Sequence, residues 1–505
     1  MSVMAGIVPQ MPTLVMALDV GTSSARARVF DASGRALPEA GGHVAYEPRA
    51  TADGGVELDA DELLAAATSA IDAALAGCGS RGREIAAVGA SVFWHSLLGL
   101  DRAGRPVTSV ITWADTRSAG AAAALERSHD PRRIHARTGA PLHSTFFPAK
   151  LRWLREARRA VFDRAALWCG FAEYLQARLT GQVSSSLSMA SGTGLLDQST
   201  GAWDPEMLAA AGVGAEALPR IDDTAAPGLV APYAGRWPAL ARVPWHPARG
   251  DGACSNVGSD CDDPGRVALN VGTSAALRVI RREPVGPHDP TPPGLWRYRV
   301  DARRSIVGGA TSEGGNVLAW CRKVLALPAE GSALEAIIGS PTGSPTLGDH
   351  GLVALPFLAG ERSPGWRPEA RGAIVGLSLD TGAGAMTRAL LEAVAFRLAE
   401  IHDRLRQVAA PGHLVVGSGG ALGHSLAWAQ IITDALGVPI ALGQDVEASA
   451  RGAALLALEA LGIPLPAAPP RGLILRPDPA RHARYRAARE RQRHLYDNIV
   501  GFRDS

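Results

Sequence analysis

Two stretches of this chain repeat one another about half a chain apart. Residues 18–29 read Leu-Asp-Val-Gly-Thr-Ser-Ser-Ala-Arg-Ala-Arg-Val, and residues 269–280 read Leu-Asn-Val-Gly-Thr-Ser-Ala-Ala-Leu-Arg-Val-Ile. Each is an apolar strand, a Gly-Thr-Ser turn and a second strand-like run. Val-Gly-Thr-Ser alone is made of common residues and can recur by chance. The matching flanks and the half-chain separation favour a duplicated domain. A length of 505 residues agrees, being too long for one compact core and suited to two large domains.

The remaining pattern is α/β. Residues 59–76 read as an amphipathic helix, with Asp59 and Glu62 at capping-box spacing and Gly77 as a stop. Strands are expected at 85–91 and 97–100, around a loop carrying Trp94 and His95. Apolar spacing predicts a long helix over 385–408. A short buried strand at 413–416 leads through Gly417-Ser-Gly-Gly420 to a helix near 423–436, and another helix covers 447–460. The Pro-rich run at 244–247 marks the expected domain break. It divides the chain into an N-terminal domain over 12–247, a C-terminal domain over 248–470 and a helical tail over 471–505. Surface loops are expected at 281–294 and 339–349, and a disordered lead-in over the first ten residues.

Composition excludes several classes. With 51 basic and 49 acidic residues the net charge is only +2, which favours neither nucleic acid nor an anionic membrane as partner. The five cysteines show no C-x-x-C spacing, against a disulfide framework or zinc site and for a reducing compartment. The apolar run at 14–18 ends at Asp19, too short for a signal peptide or a membrane span. The expectation is a cytoplasmic protein whose partner is a small molecule and, at most, a second copy of itself.

Five motifs carry chemistry. Asp19 ends an apolar strand, where a carboxylate is costly unless paired or near a cation. After it Gly21 allows a tight turn, Thr22 and Ser23 offer hydroxyls and turn amides, and Arg26 offers a fork for phosphate. The plain alternative is a hairpin with a solvated aspartate. The echo at Gly272 and Thr273 would grip a phosphate chain from the other side, with Asn270 in place of the acid. Gly250-Asp251-Gly252 puts a carboxylate between two glycines just upstream. It suits a base that takes a proton from an attacking hydroxyl, although Gly-Asp-Gly is also a common turn. Gly419, Gly420 and Ala421 open a helix and let a nucleotide lie against the backbone. Trp94 and His95, with Trp113, Asp115 and Arg117, combine ring faces and polar groups as a polyol pocket does; either tryptophan or histidine alone is more often structural.

Other mechanisms lack their residues. The only lysines, Lys150 and Lys323, follow Ala149 and Arg322, so no Gly-Lys phosphate loop exists. No Gly-x-Ser-x-Gly or His-Glu-x-x-His occurs, and Leu422 breaks the dinucleotide fingerprint.

The order of these motifs over roughly 14–465 resembles the FGGY family of carbohydrate kinases, within the actin-like, ribonuclease-H-like ATPases. The resemblance implies two duplicated α/β domains with a cleft between them, and ATP and Mg²⁺ as cofactors. It implies Asp19 as the magnesium-associated acid, acting through water, and Asp251 as catalytic base. Gly21, Thr22, Ser23, Arg26, Gly272 and Thr273 match the phosphate motifs. Gly315, Gly419, Gly420 and Ala421, with His424 just after, match the ATP and adenosine positions. Trp94, His95, Trp113, Asp115, Arg117 and Asp251 fall on the sugar side. Leu355-Pro-Phe-Leu-Ala-Gly-Glu-Arg362-Ser-Pro resembles the second signature region. Among the branches the wording is most similar to gluconokinases, except that Trp94 replaces the usual Met before the histidine. The implied reaction is transfer of the γ-phosphate to a terminal hydroxyl of a sugar or sugar acid, D-gluconate first. Arg117, His95 and Arg362 are the candidates for meeting a substrate carboxylate. A xylulokinase-like ketopentose or polyol kinase is the alternative. A non-catalytic sugar sensor on the same fold is disfavoured by the presence of Asp251.

Overall fold

Strand Leu14–Val20 has all seven residues buried, as its unbroken apolar run requires. It pairs antiparallel with Ser24–Asp31 through the Gly-Thr-Ser turn, and parallel with Ile85–Val92 on its other side. Strands Ala36–Ala45 and Arg249–Gly250 complete a five-stranded sheet. In the second half Arg266–Val271 and Ala275–Arg281 form the same hairpin, and Leu414–Ser418 is the same parallel neighbour, now in a seven-stranded sheet. The sequence echo is therefore a duplicated topology, and the chain has the two-domain actin-like α/β fold. The computed structural model describes residues 13–500 apart from 284, 287–288, 290, 329, 340–349, 444–446 and 465–471. The expected lead-in, the loop residues 340–349 and the start of the tail lie outside the described residues, as does part of the 281–294 loop.

The two hairpins differ by one residue. Val20 faces Ala25 across the first, whereas Val271 faces Ala275 across the second. The longer first turn places Arg26 opposite Asp19, while Ala276 lies opposite Asn270.

Helix Ala60–Cys78 is capped by Asp59, whose side chain accepts from the Asp61 and Glu62 amides. Its stop is Gly79, with φ 56°, and not Gly77. Gly77 lies inside the last turn, where a Cβ would meet the Glu39 carbonyl at 1.8 Å, so its role is close packing on strand Ala36–Ala45. This helix, with its continuation to Glu84, is long and apolar enough to cross a membrane. Leu63, Ala67, Ile71 and Ala74 are buried in the first core, which accounts for that apolarity. The expected strand at 97–100 is Leu98–Leu100. It pairs with Leu167–Cys169 outside the main sheet, beside a helical cluster built around Leu125, Leu151 and Met207. The long helix is Ala383–Leu405 and forms the second core with Leu426–Leu436. The tail helix Pro479–Ile499 docks on that core through Tyr485 and Gln492, and its arginines otherwise face outward or pair, as Arg489 does with Asp403.

One helix ties the halves together. Ala448–Ala460 follows strand Ile440–Leu442 of the second sheet yet packs on the first sheet and on helix Asp251–Gly258. The two helices touch backbone to backbone. A Cβ on Gly452 would lie 1.8 Å from the Cys254 carbonyl oxygen, and one on Gly258 1.8 Å from that of Ala448. Arg28 of the first sheet holds Glu447, at the helix start, through bonds of 2.8 and 3.0 Å.

Replacing Gly452 by Ala should force these helices apart and destabilise the protein by about 1–3 kcal/mol. Because Asp251 opens one of them, turnover should fall as well. Chemical denaturation together with a steady-state assay checks both effects.

Candidate active site

Asp251 is the first residue of its helix and follows the edge strand of the first sheet. Its Oδ1 accepts the Gly252 amide at 2.8 Å. Burial raises its pKa; Arg278 opposes that most strongly, followed by the Gly252 and Trp94 amides and Arg362. The flanking glycines have a packing reason. A Cβ on Gly250 or Gly252 would fall 1.8 or 2.7 Å from the Trp94 indole. Trp94 itself is 5% exposed, donates Nε1–H to the Ser188 carbonyl at 3.1 Å and meets Tyr298 edge-on. Its ring is thus a wall that seats Asp251.

Asp19 accepts the Ser91 hydroxyl at 2.7 Å and has Arg26 at 3.8 Å. Burial, then the Asp251 and Glu447 carboxylates, push its pKa up to about 6 against the pull of Ser91 and Arg26. The two aspartates stand at the ends of strands Leu14–Val20 and Arg249–Gly250 of one sheet, near enough for Asp251 to raise Asp19.

Of the residues expected on the nucleotide side, Gly272, Gly315, Gly419 and Ala421 lie together around the second turn. In the first turn the Gly21 amide donates to Ser24 O and Tyr46 Oη donates to Gly21 O, which leaves Thr22 half-buried and Ser23 exposed. In the second turn the Gly315 amide donates to Gly272 O at 2.7 Å, so helix Gly315–Val324 starts on the Gly-Thr-Ser hairpin. Gly419, with φ 98°, lies against the Val271 backbone, where a Cβ would come within 2.5 Å of the carbonyl oxygen. Ala421 is beside Gly315. Gly420 opens the short helix Gly420–His424, and exposed His424 turns back to bond Gly420 O.

On the opposite side His95, with φ 65°, has Nδ1 2.6 Å from Gly192 O. Burial, then Arg362 and Lys150, hold its pKa well below normal. The neutral ring thus donates from Nδ1 and keeps Nε2 as an acceptor. Trp113 carries the Arg362 guanidinium 4.9 Å above its ring. Asp115 and Arg117, expected beside the sugar, are engaged elsewhere. Arg117 pairs with Asp115 and Glu57, both at 2.6 Å, and covers Trp153, while Asp115 also accepts the Val56 amide. For these two residues the observed contacts support the loop.

Sequence reasoning missed Arg278, Tyr298, His143, Glu313 and Lys150. Arg278 sits two residues after Ala276 on strand Ala275–Arg281, so alternation from the second turn carries a signal for it. Lys150, fully buried, donates to the carbonyls of His95, Thr112 and Ile111 at 2.6, 2.8 and 3.3 Å and so holds the His95 loop. Burial lowers its pKa to about 7, with Asp115 resisting. Nothing in the local sequence announces a structural lysine.

A carboxylate at a helix start, within electrostatic reach of Asp19 and seated on the Trp94 ring, is the arrangement expected of a phosphotransferase on an actin-like scaffold. The comparisons agree. Residues 14–258 match the N-terminal domain and 267–461 the C-terminal domain of the FGGY family of carbohydrate kinases. The chain belongs to that family and is an ATP-dependent carbohydrate kinase. It is 28% identical over 465 residues to a gluconokinase of Bacillus licheniformis, covering 90% of this chain and 88% of the relative. It is 31% identical to glycerol kinase 1 of Pseudomonas aeruginosa over 455 residues, covering 88% and 89%. A solved gluconate kinase and a solved ligand-bound xylulose kinase, both from Lactobacillus acidophilus, superpose with TM-score 0.85 at 26% and 27% identity. Each covers 97% of this chain and 98% of the other.

The raised Asp19 pKa gives a signed expectation. The folded state binds a proton near pH 6 that the unfolded chain binds only near 3.8, so ionised Asp19 weakens the fold above pH 6. Asp19→Asn should therefore stabilise the free protein at pH 8 by roughly 1–3 kcal/mol. The difference should shrink as pH falls through 6 toward 4. Denaturation midpoints across that range test it.

Proposed function

We propose that the protein phosphorylates the terminal hydroxyl of a sugar acid, most simply D-gluconate to 6-phosphogluconate, with Asp251 as base. The reading is supported by the surroundings of Asp251, which lies within electrostatic reach of Asp19 beside the first turn and of Arg362, itself over the Trp113 ring. The Asp251 carboxylate takes the proton of the attacking hydroxyl, whose oxygen then displaces ADP in line at the γ-phosphorus. Arg26, Thr22 and Thr273 are suited to the charge that spreads over the transferring phosphoryl group. Trp94 positions the base through its amide and its ring, and neutral His95 accepts a sugar hydroxyl. Gly315, Gly419, Gly420, Ala421 and His424 take the nucleotide end.

Asp19 fits a magnesium ion. It is a buried carboxylate short of positive partners, and a cation there would restore its ionised form. Among the described residues no three His, Cys, Asp or Glu side chains group to hold a metal. Magnesium would therefore be shared among Asp19, water and the phosphates, and would supply charge neutralisation. We assign the division between N- and C-terminal domains to 259–265, since the first sheet continues to Gly250 and its helix to Gly258. The tail helix is counted with the C-terminal domain on which it docks. The reducing cytoplasm suits five buried free cysteines.

The gluconokinase relatives and the resemblance of the 355–364 segment support the acid acceptor. Xylulose and glycerol kinases among the relatives make those acceptors the comparison set. Asp251→Asn should lower kcat by at least about 10²-fold while leaving nucleotide affinity near wild type. A coupled ADP assay over gluconate, xylulose and glycerol tests both parts. Near-normal turnover of the variant removes the base, and a strong preference for xylulose or glycerol removes the acid.

A further inference from the structure

The acceptor side of the cleft holds more buried positive charge than its own acids answer. Arg278 and Arg362 both reach the neighbourhood of Asp251 and of each other. Arg278 Nη1 and Arg362 Nε are buried and find no hydrogen-bond partner among the described residues. Both side chains are only partly buried overall, but a buried guanidinium nitrogen without an acceptor is costly, and two guanidiniums beside one carboxylate leave a net positive charge. His95 and His143 face Arg362 but are held neutral by burial, and Nε2 of His143 is likewise without a partner among the described residues. Tyr298 is also uncharged there, and Glu313, the other acid near Arg362, has its pKa raised by burial to about 7.

Arg278 packs beside Gly252 and the base, while Arg362 lies apart from the first phosphate turn. Arg26 stands at the phosphate end, 3.8 Å from Asp19. Arg362 stands at the other end, stacked on Trp113, with His143 and Trp366 in edge contact nearby. Its loop is fixed rather than adjustable. Glu361 is held by Arg397 and by Tyr496 Oη at 2.6 Å, the Ala359 amide donates to Glu313 at 3.1 Å, and the Ser363 amide to Ala310 O at 2.9 Å.

We propose that Arg362 and Arg278 form a carboxylate clamp, so that the site selects acceptors whose non-reacting end is an acid. A planar guanidinium held flat on an indole presents its edge to a carboxylate, which a neutral ketose or polyol cannot answer. This rests on the phosphotransfer reading and names the acceptor class for it. It also ranks the candidate cations: Arg117 is already paired, and Arg362 is not.

The test compares D-gluconate with D-gluconamide, which differ only in that charge. Wild type should prefer gluconate by about tenfold to a hundredfold in kcat/KM. In Arg362→Met the ratio should fall toward one, mainly through the KM for gluconate, and Arg362→Lys should recover part of it. The ratio is read on one enzyme sample, so partial misfolding cancels. A ratio unchanged in Arg362→Met, or no preference in wild type, overturns the clamp and leaves the kinase assignment standing. Loss of the base role in Asp251→Asn is a separate result.

Discussion

The rest of the molecule depends on the crossing of two helices at Gly258 and Gly452. There a helix that follows the second sheet lies directly against the one that begins with Asp251. The contact leaves no room for a side chain, so the distance between the halves at this seam is set by main-chain atoms. Arg28 and Glu447 fasten the same seam from the first sheet, and Arg451 does so through Asp260. The seam thereby fixes the helix that opens with Asp251 against the second half. A base that must meet both a sugar and a phosphate benefits from a fixed mount.

Electrostatics around the base follow from the same geometry. Asp19 is buried and Asp251 partly so, both are raised in pKa, and the Asp251 carboxylate disfavours the charge on Asp19. In the free protein this is strain, because each carboxylate lacks a full partner. Arriving groups relieve it from two directions, with a cation near Asp19 and a hydroxyl donor at Asp251. The arginines invert the problem on the acceptor side, where positive charge lacks an acceptor. The cleft is thus polarised along its length, and a substrate that is anionic at one end and bears a hydroxyl at the other completes both deficits.

Much of this was legible in the sequence because it is carried by local pattern. The Gly-Thr-Ser echo gave the duplicated hairpins, and apolar spacing gave the long helices. Asp251 stood out because Gly-Asp-Gly, a common turn by itself, falls just upstream of the second Gly-Thr-Ser echo. The reason for those glycines was not readable, since the indole they accommodate lies far back in the chain at Trp94. The same limit explains Gly77, which looked like a helix stop and is a contact with a neighbouring strand. The partners of Asp115 and Arg117 were not legible. Their spacing suits a pocket, yet their partners are each other and Glu57, a pairing that only the folded register reveals.

Lysine and arginine usage in the site carries a final physical distinction. Lys150 has three carbonyls to satisfy, which matches the three donors of an ammonium group, and it fulfils them inside the protein. Arg278 and Arg362 are partly buried, and each keeps a buried nitrogen with no partner among the described residues. Burial alone therefore does not separate a structural cation from a binding one. The deciding quantity is how many of its N–H groups the protein already satisfies. By that measure Lys150 and Arg117 belong to the scaffold, and Arg278 and Arg362 are left directed at whatever enters the cleft.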